Sequence, residues 1–421
     1  MQLENFLNKI KNQFIDIPNQ DPRANTGTRD LIVSLVFCFS RDRGNFRSLD
    51  CIRKFVQTSL GVSIARGTFW ERLATKKLQK ILEGLVTSMV LSFACKLSIT
   101  SELLKVLGVH AILLLDSSSS SLPKSAKDAF PAPRNNVAPA AIKLHMCFDL
   151  FRGAVNWFQL TPATTHDRRG FPPIESLRGK LIIFDLGYWD YLLLAAIIKI
   201  GGFFLTRVKS NAVIEVLSVI SGVPQKDFEG YPLFDRRFPK KKSKIVEVIG
   251  QFSQNYKPLF SARVIGFWNP LSKQYHWYVT NLVVPAELIY PLYRLRWQIE
   301  LVFKTFKSCL RLGDLPTANP KIIHVLVYSA LAANLIAHPI AYFMMLEFKH
   351  EKQITPSLQR AGIVMVCCAS HFIEFILSKS SAPPKELMKT LHLLKKELYD
   401  PNWKKRETST ARMIRMAEKF A

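Results

Sequence analysis

Three carboxylates and one cationic cluster carry the chemistry this chain could do. Asp116 closes the apolar run AILLLDSSS (111–119), and Asp185 closes the apolar part of LIIFDLGYWD (181–190). Glu300 stands in YRLRWQIELVFKTFK (293–307) among Arg294, Arg296, Lys304 and Lys307, the one acidic residue between Glu287 and Asp314. An Asp just past a Leu/Ile-rich strand is where an open α/β sheet presents polar groups to a ligand. Carboxylates are hard oxygen ligands for divalent cations. A site with two such ions stabilises both the attacking and the leaving oxygen of an in-line phosphoryl transfer. Read as a helix of about 3.6 residues per turn, residues 293–307 bring Arg296, Glu300, Phe303 and Lys307 to one face. The same spacing suits an amphipathic surface helix with an Arg296–Glu300 ion pair. Charge and spacing alone leave both readings open.

Tyr293-x2-Arg296-x3-Glu300-x6-Lys307 resembles, at all four positions, the signature of one group of bacterial insertion-sequence transposases. These are the DDE transposases of insertion-sequence family four. Asp116-x-Ser118 is similar to the first-aspartate motif of that family, and Asp185-x-Gly187-Tyr188 to its second. Each motif alone is weak; the order Asp, Asp and then Glu after a long insertion is specific. The resemblance is clearest from about Val109 to Leu312. It implies an α/β fold with a ribonuclease-H-like catalytic core, interrupted by a β-rich insertion and flanked by helical regions. It also implies Mg²⁺ (or Mn²⁺), two ions per site, held by Asp116, Asp185 and Glu300. Asp116 would bridge the ions, with Asp185 on one and Glu300 on the other. The implied partners are double-stranded DNA, as terminal inverted repeats and target, and a second copy of the chain in a synaptic complex. A hairpin intermediate often releases the element in that family.

By the same resemblance Tyr293, Arg296 and Lys307 hold phosphates near the scissile bond. Arg296 suits bidentate contact and Lys307 a point charge. Arg207 and Lys209, at the end of an expected strand, are further phosphate candidates. In related enzymes an aromatic before this helix stacks on a flipped base. Here His276 and Trp277 both stand there, either of which could correspond, and Trp277 reads more readily as a core residue. Ser118 would orient Asp116 or cap a turn. His166, Asp167 and Asp149 read as structural, with Asp167 capping a helix.

The elements that must position these residues follow from periodicity. Val109–Leu115 reads as a strand. Ala141–Leu150 and Arg152–Leu160 read as two more, joined by a turn at 151–153. Leu181–Phe184 is a short strand, Trp189–Ile200 a helix stopped by Gly201 and Gly202, and Phe203–Val208 a strand. Ser117–Pro133, rich in Ser, Pro and Lys, is expected to be a loop over the site mouth or a plain linker. Asp185 and Glu300 are separated by 114 residues, too many for one crossover. Within that span β-branched alternation at about 209–284 marks a β-rich insertion. Twelve basic and five acidic residues fall between Arg207 and Lys273, among them RRFPKKKSK (236–244), a solvated hairpin tip or a phosphate-contacting loop.

Residues 1–105 read as a helical DNA-binding region, 106–345 as the core with its insertion, and 346–421 as a helical basic region. Ten basic and three acidic residues lie between Arg41 and Lys80. There, one helical segment ends at Gly61 and another starts near Arg66, which suits a helix-turn-helix offering Arg66, Thr68, Arg72 and Lys76 to DNA. A helical hairpin with solvated basic faces is the plainer alternative. Residues 402–421 are a DNA-facing helix or an unstructured end.

A formal charge of +26, from 58 basic and 32 acidic residues, favours a polyanionic partner. It speaks for binding and not for chemistry. Seven cysteines without metal-ligand spacing argue against a zinc site and for a reducing cytoplasm. No signal peptide is visible at the N-terminus. Ile322–Leu346 carries no Asp, Glu, Lys or Arg over 25 residues. That is long enough to span a bilayer, yet its His, Asn and Pro fit the centre of a soluble protein. The expected function is transposition: cleavage at element ends and transfer of the 3′-OH into target DNA. The rivals are an inactive transposase-derived DNA-binding protein, a metal-dependent nuclease of the same fold, and a membrane protein with a basic face.

Overall fold

The computed structural model describes residues 2–18, 25–38, 48–96, 102–133, 138–225, 228–234, 243–308, 315–346, 357, 360–398 and a few residues beyond 411. RRFPKKK (236–242) and most of 402–421 lie outside the described residues. Nine strands form one sheet in the order β3-β2-β1-β4-β5-β9-β8-β7-β6. They are β1 (Ile112–Ser121), β2 (Ala141–Asp149), β3 (Ala154–Pro162), β4 (Leu181–Phe184), β5 (Phe203–Arg207), β6 (Ile214–Ser221), β7 (Ile245–Gln254), β8 (Lys257–Asn269) and β9 (Gln274–Thr280). The first three pair antiparallel as a meander, whereas β4 runs parallel to β1 and β5 parallel to β4. Helix α7 (Tyr191–Lys199), N-capped by Asp190, supplies the crossover that a parallel β4–β5 pair requires.

The strands read from periodicity are present, and two features differ from expectation. Ser117–Ser121 continues β1 and is not a loop, because each residue finds a partner in β2, from Ser117↔His145 to Ser121↔Ala141. Backbone pairing overrides a composition that favours turns. The β-rich segment does not stand apart as a separate subdomain. Its last strand, β9, pairs antiparallel with the open edge of β5 (Leu205↔Thr280, Arg207↔Tyr278), so β6–β9 extend the central sheet.

The central strands are apolar on both faces, as expected for strands covered on both sides. Ile112, Leu114, Leu181, Ile183 and Leu205 enter one core, while Leu113, Leu115, Ile182, Phe184 and Phe204 enter another. The second core is closed by α7 through Leu194 and Ile197. The first is closed by helices from both ends of the chain: α1 (Gln2–Ile15), α2 (Thr28–Cys38), α3 (Leu49–Leu60), α4 (Arg66–Leu73), α5 (Lys76–Lys96) and α6 (Glu102–Leu107) before the sheet. After it come α8 (Ile289–Arg294), α9 (Gln298–Ser308), α10 (Pro320–Leu346), α11 (Gly362–Leu377) and α12 (Lys385–Leu394).

The apolar helix α10 is the centre of that layer, and its most apolar window is 89 % buried inside the protein. It packs on α1, α2, α5 and α11. Lys11 of α1 crosses to the end of α11, where its Nζ donates to the carbonyls of Phe375 (2.8 Å), Ser378 (2.8 Å) and Ser380 (2.5 Å). Those are carbonyls at and just past a helix C-terminus, which a cation satisfies.

Candidate active site

Strand register brings the first two acids together. Leu115 of β1 is level with Phe184 of β4 in a parallel pair, so Asp116 and Asp185 follow as neighbours on strands about 4.8 Å apart. Side chains alternate along a strand. Asp116 is in phase with Ile112 and Leu114, and Asp185 with Leu181 and Ile183, so both acids leave the sheet on the face that α8 and α9 cover.

The expected single helix over 293–307 is broken. Residues Leu295–Trp297 form a 3-10 turn between α8 and α9. The apolar side chains Ile289, Leu292, Leu295, Ile299 and Val302 are buried against the sheet, which seats both helices and points the polar positions at the acids. Arg296 Nη1 donates to Asp116 Oδ2 at 2.6 Å and Nη2 to Glu300 Oε1 at 3.1 Å. The Tyr293 hydroxyl donates to Asp185 Oδ1 at 3.1 Å, while its ring packs 5.0 Å from that of Tyr278. Asp116, Asp185, Glu300, Tyr293 and Arg296 are thus gathered in one cluster.

Burial pushes the Asp116 carboxyl up to about 6; Arg296 opposes the rise, and the charges of Asp185 and Glu300 add to it. Tyr293 is likewise pushed up, by burial first and then by Asp185. Burial alone would pull the Arg296 guanidinium down, but Asp116, Tyr293, Asp185 and Glu300 raise it on balance. The oxygen-only donor set suits a hard divalent ion. Among the described residues no three such side chains are gathered closely enough to hold an ion as they stand. The guanidinium of Arg296 instead bridges Asp116 and Glu300.

The other expected residues are spread around this cluster. Lys307 is exposed near the end of α9. Arg207 is exposed at the end of β5, within electrostatic reach of Tyr293, and Lys209 follows it half-buried. Trp277 belongs to the core and not to the surface: it is 8 % exposed, and its ring covers Gly266, where an added Cβ would lie 2.7 Å from it. Trp297, beside Arg296, is 59 % exposed, with Lys304 Nζ 6.0 Å from its ring centre. Arg66 and Arg72 lie on α4, whose main neighbours are α3, α5 and α10. Arg66 reaches Asp50 of α3 at 3.3 Å. The helix pair expected there exists, with Gly61 in the left-handed conformation (φ 65°) ending α3.

Sequence reasoning missed a second group at this site. Ser117, not Ser118, hydrogen bonds next to Asp116: its backbone N–H donates to Asp116 Oδ1 at 2.8 Å, and its hydroxyl to Asp167 Oδ1 at 2.9 Å. Lys143 Nζ donates to the same Asp167 oxygen at 3.1 Å and to the Thr165 carbonyl at 2.7 Å. The helix-capping group expected at Asp167 is the neighbouring His166, whose Nδ1 accepts from Arg168 N. An HDRR loop carries no periodicity, so only proximity in space could reveal these contacts.

The pattern that defines the transposase DDE domain matches residues 108–335, more than half of the chain. The chain belongs to that family. Its similarity to the transposase of insertion sequence IS231C from Bacillus thuringiensis subsp. berliner is 27 % identity over 323 residues, 66 % of this chain and 67 % of the relative. The IS231B transposase of the same organism is 24 % identical over 320 residues, 64 % of each protein. That of IS1151 from Clostridium perfringens is 22 % identical over 272 residues, 55 % of this chain and 57 % of the relative. The chain therefore spans about two thirds or less of the length of these relatives. Among solved structures, a piggyBac transposase synaptic complex with hairpin DNA aligns over 93 % of this chain and 85 % of that one. Its identity is 11 % and its TM-score 0.43.

Proposed function

We propose that this family member is a DNA transposase that hydrolyses one strand at the ends of its insertion sequence and joins the freed 3′-OH to target DNA. The observation that carries the proposal is the side-by-side pair Asp116 and Asp185 on parallel strands, with Glu300 tied to Asp116 through Arg296. The strand order β3-β2-β1-β4-β5, antiparallel and then parallel, supports a ribonuclease-H-like core over 106–345. On this reading β6–β9 are an insertion, and the helices of 1–105 and 346–421 flank the core.

Asp116, Asp185 and Glu300 would hold two divalent ions, Mg²⁺ or Mn²⁺. Bound there, the ions supply Lewis-acid neutralisation of a phosphodiester and a more acidic water. The chain's own residues do the rest. Tyr293 fixes the orientation of the Asp185 carboxylate through its hydroxyl. Arg296 exchanges its carboxylate partners for a phosphate oxygen pair, a geometry the planar guanidinium suits. Lys307, Arg207 and Lys209 add cationic charge along the strand path. With Trp277 in the core, Trp297 is the ring offered to a DNA base. In the first step water adds to phosphorus and the P–O3′ bond breaks, the 3′ oxygen leaving with a proton. In the second that 3′-OH attacks a target phosphorus and releases a new 3′-OH.

Arg66 and Arg72 on α4, with the +26 charge, support contact with terminal repeats. Two copies would pair two ends, in a bacterial cytoplasm. The test is Mg²⁺-dependent cleavage and joining of DNA bearing the element's own flanking repeats. Loss of both reactions in Asp185→Ala and Glu300→Ala, with DNA binding retained, is the expected result. Binding without cleavage by the wild type, in either metal, would overturn the catalytic reading. Cleavage indifferent to the repeats would make the protein a nuclease.

A further inference from the structure

The β1–β4 ladder ends at Leu115↔Phe184, one residue before each of the first two acids. No backbone pairing between these strands fixes the spacing of Asp116 and Asp185. We infer that Asp167 does so from behind the sheet, as a positioning residue for the acid pair. The inference rests on the reading of these acids as a metal site.

Ser117 is in phase with Leu113 and Leu115, so its side chain leaves the sheet on the face opposite to Asp116. There it donates to Asp167 Oδ1. The other carboxylate oxygen of Asp167 lies over Gly187, two residues past Asp185, where an added Cβ would approach it to 2.7 Å. One carboxyl group thus touches the strand of the first acid and the turn of the second. The loop that carries it is fastened on both sides. Lys143 of β2 holds Asp167 and the Thr165 carbonyl. Arg168 Nη1 holds Asp190 Oδ2 at 2.8 Å, and Asp190 in turn caps α7 through Leu192 N and Leu193 N. Ser117 also reaches the hydroxyl of buried Tyr188, which lies 3.3 Å from His145 Nδ1. Gly187 has no left-handed backbone, so the side chain of Asp167 is what excludes a larger residue there.

The arrangement makes a specific forecast for paired substitutions. Asp167→Ala releases the link, and Gly187→Ala breaks it from the other side by displacing the carboxyl. In Asp167→Ala/Gly187→Ala the clash is gone, because the oxygen at 2.7 Å is removed and the Asp167 Cβ, at 3.5 Å, is in ordinary contact with the new methyl. The double variant should therefore be no worse than either single one. Asp167→Asn keeps an oxygen that accepts from Ser117 and Lys143 and should retain most of the wild-type behaviour.

The experiment measures Mn²⁺ binding to the full-length protein without DNA, by electron paramagnetic resonance, well below the melting temperature of every variant. Cleavage is followed in parallel as a function of Mn²⁺ concentration. Asp167→Ala and Gly187→Ala are each expected to weaken Mn²⁺ binding about tenfold, non-additively, with Asp167→Asn within about threefold of wild type. Wild-type Mn²⁺ affinity in folded Asp167→Ala, or additive losses in the double variant, would overturn the inference and leave the metal site standing. A wild type that binds no Mn²⁺ would overturn the reading of the acids, and this inference with it.

Discussion

Arg296 joins Asp116 to Glu300, with one guanidinium nitrogen 2.6 Å from the first acid and the other 3.1 Å from the second. Without a divalent ion, three carboxylates in one half-buried cluster repel one another, and the arginine offsets part of that repulsion. The residue that would grip DNA phosphate is therefore the one that holds the acids together in its absence.

Replacing Arg296 by Gln removes a cation that an incoming metal ion must displace. Mn²⁺ should bind several-fold more tightly to Arg296→Gln in the absence of DNA, while DNA cleavage falls by about 10²-fold through loss of a phosphate contact. Titration calorimetry with Mn²⁺ checks the first half. Weaker metal binding in the variant would mean the arginine assembles the acids and does not compete for them.

The raised pKa of Asp116 makes stability depend on pH with a definite sign. An acid whose pKa is about 6 in the fold and near 4 when unfolded stabilises the fold while it is protonated. That contribution is complete below about pH 4 and is lost as pH rises through about 6. Asp116→Asn, neutral throughout, should be more stable than wild type at pH 8 by roughly 1–3 kcal/mol and inactive. Thermal melts in metal-free buffer should show the gap closing toward pH 4. A gap that does not change with pH would contradict the burial of this carboxyl.

Tyr293→Phe keeps the ring against Tyr278 and deletes the hydroxyl that holds Asp185. Its melting temperature should stay within about 2 °C of wild type, since a lost hydrogen bond is worth about 1 kcal/mol or less at a half-exposed acid. Cleavage should fall about tenfold. An unchanged rate would relegate Tyr293 to packing.

Glu247 of β7 is buried and pairs with Arg263 of β8, at 2.7 Å to Nε and 2.5 Å to Nη2. Arg263 also donates to the Leu282 carbonyl at the root of the segment leading to α8. Arg263→Ala should destabilise the protein by about 3 kcal/mol, because it leaves a buried carboxylate alone. Denaturant melts of Arg263→Ala and Arg263→Ala/Glu247→Gln check this. The double variant should recover part of the loss.

Much of this site could be read from the chain because strand ends and helix spacing are local signals. Asp116 and Asp185 follow Leu/Ile-rich runs, and residues 293–307 carry their own periodicity. The break at Leu295–Trp297 was not legible, since a 3-10 turn keeps helical dihedrals and changes only the hydrogen-bond partner. Ser117–Ser121 looked like a loop because serine favours turns, and only the facing strand β2 overrules that. The core reading of Trp277 holds, and the open space above Gly266, eleven residues earlier, is what receives its ring. Asp167 is reached through contacts with Gly187 and with Lys143 and Ser117, the last two 24 and 50 residues away in sequence. No window along the chain contains them.

The family pattern ends at residues 108 and 335, but the apolar face of that span does not. It is covered by α1, α2 and α11, and Lys11 ties the first of these to the last. Excised alone, residues 108–335 would present that inner wall bare and sticky. The span that the family pattern covers is therefore one half of a shared core, and the flanking helices are the other half.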